Sequence, residues 1–189
     1  AGLPYAGGQA GAFVVDAATE STAVEISTYE QFAAFAKAVN AGTAESYASV
    51  KLTADITIPA GTTWTPIGSA ANPYTGVFDG DGHTVSGLTA SITAAEYNAE
   101  NDSVPFGLFG QTQGATIKNL KMSNVEISGS AGSGSGILCG RSIATTISGC
   151  TIDNSCTFNG NTAMVGGLGC MLIESTVSDC VVAVQLQLE

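Results

Sequence analysis

The spacing of apolar residues changes from helical to strand-like near Val50. Within residues 27–42, aromatic and aliphatic side chains recur at steps of three and four, which predicts an amphipathic helix from Thr28 to Asn40. The run Ser27-Thr28-Tyr29-Glu30 has the S-x-x-E spacing of a capping box, and Gly42 is placed to end the helix. From Val50 onward, apolar and polar residues alternate with the period of half-buried strands. The pattern therefore predicts one helix followed by an all-β region.

A repeat with a constant period dominates the second half of the chain. The segments 117–122, 147–152 and 177–182 keep apolar residues at the same positions, with no insertion between them. Leucines at the same spacing form a second column within each unit, and a looser third column pairs 125–127 with 156–158. Each unit thus offers three short strands separated by Gly, Ser and Asn turns, as one coil of a parallel β-helix requires.

A degenerate copy is predicted to precede the three regular ones. The column of Leu108, Leu138 and Leu168, extended back by one more unit, reaches Phe78. The run 84–88 also resembles 116–120, which places Val85 in the column of Ile117.

The length of the unit separates two kinds of repeat fold. A propeller blade would need about 40 residues and four antiparallel strands, so the shorter unit of about 30 residues favours a solenoid. The sequence predicts an all-β, right-handed parallel β-helix of roughly five coils, closed at its start by the capping helix.

The same pattern predicts the organisation of the chain. Residues 1–26 are an Ala- and Gly-rich lead-in segment, expected to be partly flexible, and 27–189 form a single β-helix domain. Within the domain, 27–42 is the capping helix, 50–180 holds the coils, and 181–189 is a terminal strand or cap. The alternating pattern of that last segment leaves two alternatives. Either it lies across the final coil, or the native protein continues beyond it.

All five cysteines lie in the repeat region and lack a C-x-x-C pair, so a zinc site is not indicated. The repeat places Leu120, Cys150 and Cys180 in one internal ladder beside the ladder of Ile117 and its equivalents. Parallel in-register side chains hold their Cβ atoms too far apart for a disulfide. We therefore expect free thiols that pack as small apolar groups.

Charge and composition narrow the range of partners. Five Lys and Arg residues against sixteen Asp and Glu give a net charge of -11, which disfavours nucleic acid and anionic membrane surfaces. Only 11% of the residues are charged, so the polar surface must come from Ser, Thr, Asn, Gln and Gly, as is common in extracellular β proteins. No apolar run approaches the ~20 residues of a transmembrane helix. We expect an extracellular or cell-surface protein whose signal peptide has been removed, with no membrane insertion by this chain.

Several motifs, taken in order, resemble the GLUG-motif family of bacterial surface proteins. The resemblance covers residue 27 to the end and implies a β-helical repeat found in adhesin-like proteins and in noncatalytic regions of some IgA-cleaving metallopeptidases. It implies a scaffold or display role, with no shared catalytic residues to carry over. The matching stretches are Val50–Ile56, Trp64–Ser69, Tyr74–Leu88, Gly107–Gly110 and Ile117–Leu120.

The run Asp79-Gly80-Asp81-Gly82-His83 is the most site-like cluster in the sequence. It offers Asp79 and Asp81 as weak candidates for a calcium ligand pair, but it lacks the other acidic positions of an EF-hand loop. The alternative is a tight turn in which Gly supplies positive φ and Asp side chains accept neighbouring N–H groups. We favour the turn and expect no metal and no cofactor.

A catalytic groove is not indicated. Glycoside hydrolysis needs two facing carboxylates, and the acidic residues of the regular coils do not share a column. A Cys–His nucleophile would require His83 to meet a distant cysteine, because the first cysteine of the chain is Cys139. These observations predict that the chain is not an enzyme. The acidic residues in question are Glu126, Asp153, Glu174 and Asp179.

The insertion Thr93–Pro105 interrupts the repeat and is the first candidate for a binding surface, through Tyr97, Glu96, Glu100 and Asp102. A sugar-stacking platform built from Trp64, Tyr74 and Tyr97 is a further hypothesis. Together the patterns predict a non-catalytic display or adhesin-like module whose partner is an unknown surface protein or glycan. The alternatives are a carbohydrate-binding module and, after it, a polysaccharide-active β-helix enzyme.

Overall fold

The computed structural model describes residues 22–92, 106–129, 134–160 and 164–187, and within them the protein is a parallel β-helix with a helix near its start. The helix α1 runs from Tyr29 to Asn40, and a short 3-10 helix spans Glu45–Tyr47. The strands are β1 Val24–Ile26, β2 Ser49–Leu52, β3 Ile56–Thr57, β4 Val77–Asp79, β5 Thr84–Ser86, β6 Thr89–Ile92, β7 Phe109–Gln113, β8 Thr116–Lys118, β9 Lys121–Ser123, β10 Glu126–Gly129, β11 Gly134–Gly136, β12 Cys139–Ile143, β13 Thr146–Ser148, β14 Thr151–Ile152, β15 Thr157–Gly160, β16 Met164–Gly166, β17 Gly169–Ile173, β18 Thr176–Ser178, β19 Val181–Val182 and β20 Gln185–Gln187.

The strands stack into sheets that run along the solenoid. The strand order β1-β2-β4-β8-β13-β18 forms the longest sheet, and the order β3-β5-β9-β14-β19 forms a second sheet of five coils. All strand pairs in these two sheets are parallel, and Ile117, Ile147 and Val177 lie in register. In the third column, Ile127 is paired with Phe158. The predicted β-helix and its regular ladders are confirmed.

The predicted helix is confirmed, but its capping box is shifted by one residue. Thr28, rather than Ser27, is the N-cap, and its hydroxyl accepts a hydrogen bond from the Gln31 N–H at 3.2 Å. The Gln31 side chain accepts in return from the Thr28 N–H at 3.2 Å and from the Ser27 N–H at 2.8 Å. The side chain that completes the capping box is therefore that of Gln31, one residue after the glutamate expected from the sequence.

The register of the early coils differs from the prediction. Phe78 lies opposite Ile117 and is not part of the Leu108 column. Val85 lies opposite Met122, although the resemblance between 84–88 and 116–120 predicts that it lies opposite Ile117. The coil that includes these residues contains the insertion 93–105 and is therefore longer than the later coils.

Helix α1 closes the first end of the solenoid over a cluster of aromatic rings. The Phe32 ring is stacked on Trp64 with centroids 5.6 Å apart, and Phe35 is stacked on Phe78 at 5.8 Å. Deeper in the core, the ring of Phe109 meets Phe78 edge-on at 5.4 Å. Ring pairs at such distances stabilise a core beyond the area they bury. The helix is thus bound to the first coils by its aromatic face.

The last coil is built like the others but is open on its far side. Strand β20 is parallel to β15 and places Leu186 opposite Phe158, so the segment 185–187 continues the third column rather than crossing the coil. Phe158 is 3% exposed and Leu186 58%. The apolar side chains of this coil that are exposed are Leu172, Ile173, Val177, Val181, Val182 and Leu186.

The five cysteines are free thiols, as predicted. Cys139, Cys150 and Cys156 are buried among aliphatic neighbours, while Cys170 and Cys180 in the last coil are partly exposed. Burial raises the pKa of Cys139 to about 11 and that of Cys150 to about 12. These thiols therefore pack as neutral core groups.

Candidate functional site

The residues 79–83 lie at a corner of the solenoid beside a ladder of alternating charge. Lys51, Asp79 and Lys118 occupy one column of the longest sheet. The Lys118 Nζ atom lies 3.2 Å from Asp79 Oδ2, and the Lys51 Nζ atom lies 3.0 Å from Asp81 Oδ2. Each carboxylate that the sequence offered as a calcium ligand is therefore paired with a lysine.

The Asp79 side chain also organises the turn itself. Its Oδ1 atom accepts hydrogen bonds from the Asp81 N–H at 2.9 Å and from Asn119 Nδ2 at 3.1 Å. Partial burial acts to raise the pKa of Asp79, but these hydrogen bonds and Lys118 outweigh it and hold the pKa below its usual value. With Asp81 at φ 49° and Gly82 at φ 82°, the run has the geometry of a tight turn.

A histidine and a carboxylate meet at the same corner. His83 Nδ1 lies 3.3 Å from Asp55 Oδ1, which also accepts from the Thr84 N–H at 2.9 Å. The hydrogen bond from the Thr84 N–H has the larger effect and the one to His83 the smaller, and together they hold the pKa of Asp55 below its usual value. In the described part of the chain, no group of three or more His, Cys, Asp or Glu side chains could hold a metal ion.

The predicted stacking platform is not formed by Trp64 and Tyr74. Trp64 is 7% exposed, and its indole nitrogen donates to the Leu108 carbonyl at 3.3 Å. Tyr74 is 1% exposed and its ring is stacked on Phe109. Both rings pack into the core beneath the cap, so neither presents its face as a stacking platform for a sugar. Tyr97, Glu96, Glu100 and Asp102, with the rest of the insertion 93–105, lie outside the described residues.

A cleft opens beside the cap, between the segments 42–48 and 71–76. It has a volume of about 420 Å³ and is lined by residues from both segments and from the end of α1. We call it the cap cleft. The side chains that give it chemical character are Glu45, Tyr47, Asn72, Pro73, Tyr74 and Thr75.

Asn40, at the end of α1, holds the two sides of the cap cleft together. Its Nδ2 atom donates to the Pro66 carbonyl at 3.0 Å, and its Oδ1 atom accepts from the Gly68 N–H at 2.7 Å. The Asn40 carbonyl in turn accepts from Asn72 Nδ2 at 3.0 Å. One residue therefore fixes the loop after Pro66 against the helix end.

Two glycines allow the cleft walls to approach closely. Gly42 has φ 71°, and a Cβ atom there would lie 2.8 Å from Asn72 Oδ1. A Cβ atom at Gly76 would lie 2.7 Å from both the Ala48 carbonyl oxygen and the Tyr74 hydroxyl. The Tyr74 hydroxyl also donates to the Tyr47 carbonyl at 3.4 Å, which links the cleft floor to its wall. The cleft is therefore preformed by packing and hydrogen bonds.

No protein-family model matches this chain, and no curated protein matches it. Among solved structures, the chain is similar to a crystal structure described as a putative immunoglobulin A1 protease from Bacteroides ovatus, with a TM-score of 0.43 and 16% sequence identity. The similarity covers 89% of this chain and 68% of that one. None of the helices in the described residues is long and apolar enough to cross a membrane.

This neighbour corrects one prediction. The expectation that the chain is not an enzyme is contradicted by a structural neighbour whose description names a protease, and we withdraw it. The protease name belongs to the neighbour, because a likeness at 16% identity concerns the fold alone.

The cap cleft was missed by sequence reasoning because its walls come from segments about a coil apart. Glu45 and Tyr47 lie between α1 and β2, and Asn72 and Thr75 lie between β3 and β4. One signal could have found them: both segments are irregular stretches between regular elements, where binding residues concentrate. Periodicity highlights the repeat and passes over such stretches.

Proposed function

We propose that this chain is a display module of a secreted or cell-surface bacterial protein, of the GLUG-motif, adhesin-like kind, which attaches to a partner surface through its capped end. The observation that carries the proposal is the preformed cap cleft on the closed end of the solenoid. Binding residues held by irregular segments on a rigid scaffold are the usual arrangement in recognition proteins. The partner is a surface glycan or a surface protein.

The electrostatics and surface composition support the same function. A net charge of -11 disfavours nucleic acid as a partner, and a chain in which only 11% of the residues are charged is typical of extracellular β proteins. The stacked coils supply the stiffness that a display module needs, because each coil is hydrogen-bonded along its strands to the next.

Attachment can be tested with fluorescent beads that carry the whole chain in two orientations. Beads coupled through the C terminus present the capped end outward, whereas beads coupled through the N terminus hold it toward the bead. We expect the first kind to be retained on mucin-coated surfaces and epithelial monolayers more than the second. Beads coated with an unrelated acidic protein of the same net charge serve as the control. Retention of the outward-facing beads no higher than that of the control beads, on every surface, would overturn the proposal.

A further inference from the structure

We infer that the cap cleft binds a neutral saccharide unit of a glycan. This inference rests on the proposed attachment function and names the ligand class of the same end of the molecule. The size of the cleft is the first argument. At about 420 Å³ it lies within the range of about 300–1,000 Å³ that is typical of small-molecule sites.

The aromatic ring at the cleft suits the apolar face of a sugar. Tyr47 is partly buried, and its ring packs against Phe35 with centroids 5.4 Å apart, so its position is fixed before any ligand arrives. A pyranose carries C–H groups on one face and hydroxyls around its rim. A rigid aromatic ring offers contact area at a low cost in side-chain entropy.

The polar groups around Tyr47 suit the hydroxyls of the same ligand. In the described part of the chain, the Glu45 carboxylate has no ion pair, and neither Asn72 Oδ1 nor the Thr75 hydroxyl has a hydrogen-bond partner. Carboxylate and amide oxygens accept hydrogen bonds, and the threonine hydroxyl both donates and accepts. Neighbouring hydroxyls of a sugar also both donate and accept, so they can donate to the carboxylate and amide oxygens and exchange hydrogen bonds with the threonine hydroxyl.

Charge decides between a neutral and an ionic ligand. No Lys, Arg or His side chain lines the cleft among the described residues, and the one charged group there is Glu45. An acidic sugar or a phosphate would therefore meet repulsion with no cation to offset it. A protonated amine only donates, so it would leave the donor function of the Thr75 hydroxyl without an acceptor, and it lacks the C–H face that packs on the Tyr47 ring.

Binding can be measured by NMR titration of the ¹⁵N-labelled whole chain. The probes are the methyl glycosides of glucose, galactose, mannose, fucose, N-acetylglucosamine and N-acetylgalactosamine, each added to millimolar concentration. We expect at least one glycoside to shift the amide signals of residues 42–48 and 71–76. Tyr47→Ala should weaken that binding about tenfold, which corresponds to about 1.4 kcal/mol, whereas Tyr47→Phe should retain most of it because the ring remains.

Two matched variants control for general effects on the fold. Tyr29→Ala removes a partly buried tyrosine on the other side of α1, and Glu30→Gln removes an exposed helix carboxylate away from the cleft. Both should bind the glycoside as the unaltered chain does, whereas Glu45→Gln should bind it less tightly. No shift with any of the six glycosides would overturn the inference, as would shifts confined to other residues or equal losses in Tyr29→Ala and Tyr47→Ala. Bead attachment that survives Tyr47→Ala would also overturn it while leaving the attachment function standing.

Discussion

The side chain of Asn40 accepts a hydrogen bond from the backbone N–H of Gly68 at 2.7 Å, although the two residues are 28 positions apart. The same amide donates to the Pro66 carbonyl, so both of its polar atoms are used. We expect Asn40→Ala to lower the free energy of unfolding by about 2 kcal/mol, because two partly buried backbone groups lose their partners. Urea denaturation followed by circular dichroism measures this. The control Asn154→Ala, in an exposed turn, should change stability little, and equal losses in the two variants would contradict the prediction.

Ala144 is in the left-handed region with φ 48°, at the position that Gly114 occupies one coil earlier with φ 63°. A residue with a Cβ atom is strained there, and glycine is not. We expect Ala144→Gly to raise the free energy of unfolding by about 1 kcal/mol. Ala183→Gly, at an exposed position without positive φ, should instead be neutral or destabilising. A loss of stability in Ala144→Gly would show that the extra chain entropy of glycine outweighs the strain.

The open last coil should make the isolated chain self-associate. An unpaired strand edge together with exposed apolar side chains is a template for a second copy. We expect the double variant Val181→Lys and Leu186→Lys to weaken self-association about tenfold, as measured by sedimentation velocity over a concentration series. Val77→Lys, which changes a valine that is 37% exposed within the longest sheet, should leave association unchanged. A monomeric unaltered chain at all concentrations would refute this.

Stability should fall in acid partly through Asp55. Its pKa is held below the usual value by the Thr84 N–H and by His83, so its ionised form is favoured in the folded state. The resulting stabilisation is present above the ordinary carboxyl pKa and is lost as the pH falls through the lowered one. We expect the unaltered chain to lose more stability than Asp55→Asn between about pH 5 and about pH 2. Urea midpoints across that range measure the difference, and parallel curves for the two proteins would be inconsistent with the assignment.

The thiols should react in the order of their exposure. Burial raises the pKa of Cys139 to about 11 and of Cys150 to about 12, so neither forms much thiolate at pH 8. We expect iodoacetamide to alkylate Cys180, in the open last coil, before these two residues in the native protein. Peptide mass spectrometry over time gives the order, and prior unfolding in urea should abolish the difference. Early labelling of Cys150 would contradict its place in the core.

The regular coils could be predicted from the sequence because a repeat of constant length determines which residues of successive coils are paired. Ile117, Ile147 and Val177 recur at equal spacing, and no insertion intervenes, so each must occupy the same place in its coil. The early coils could not be aligned in this way. The pairing of Phe78 with Ile117 depends on the insertion 93–105 and on the longer turn at 80–83, which change the offset without changing the apolar pattern.

By itself, the sequence determined the β-helix, its capping helix and the packing of its cysteines, because apolar periodicity and a repeat of fixed length are local properties of the chain. Only the tertiary structure decided that Trp64 and Tyr74 are core rings and that Asp79 and Asp81 face lysines. It alone assembled the cap cleft, whose walls at Tyr47 and Asn72 are separated in sequence by nearly one coil. Contacts of that kind depend on how the coils are stacked, and the stacking follows from the balance of packing and hydrogen bonding over the whole solenoid.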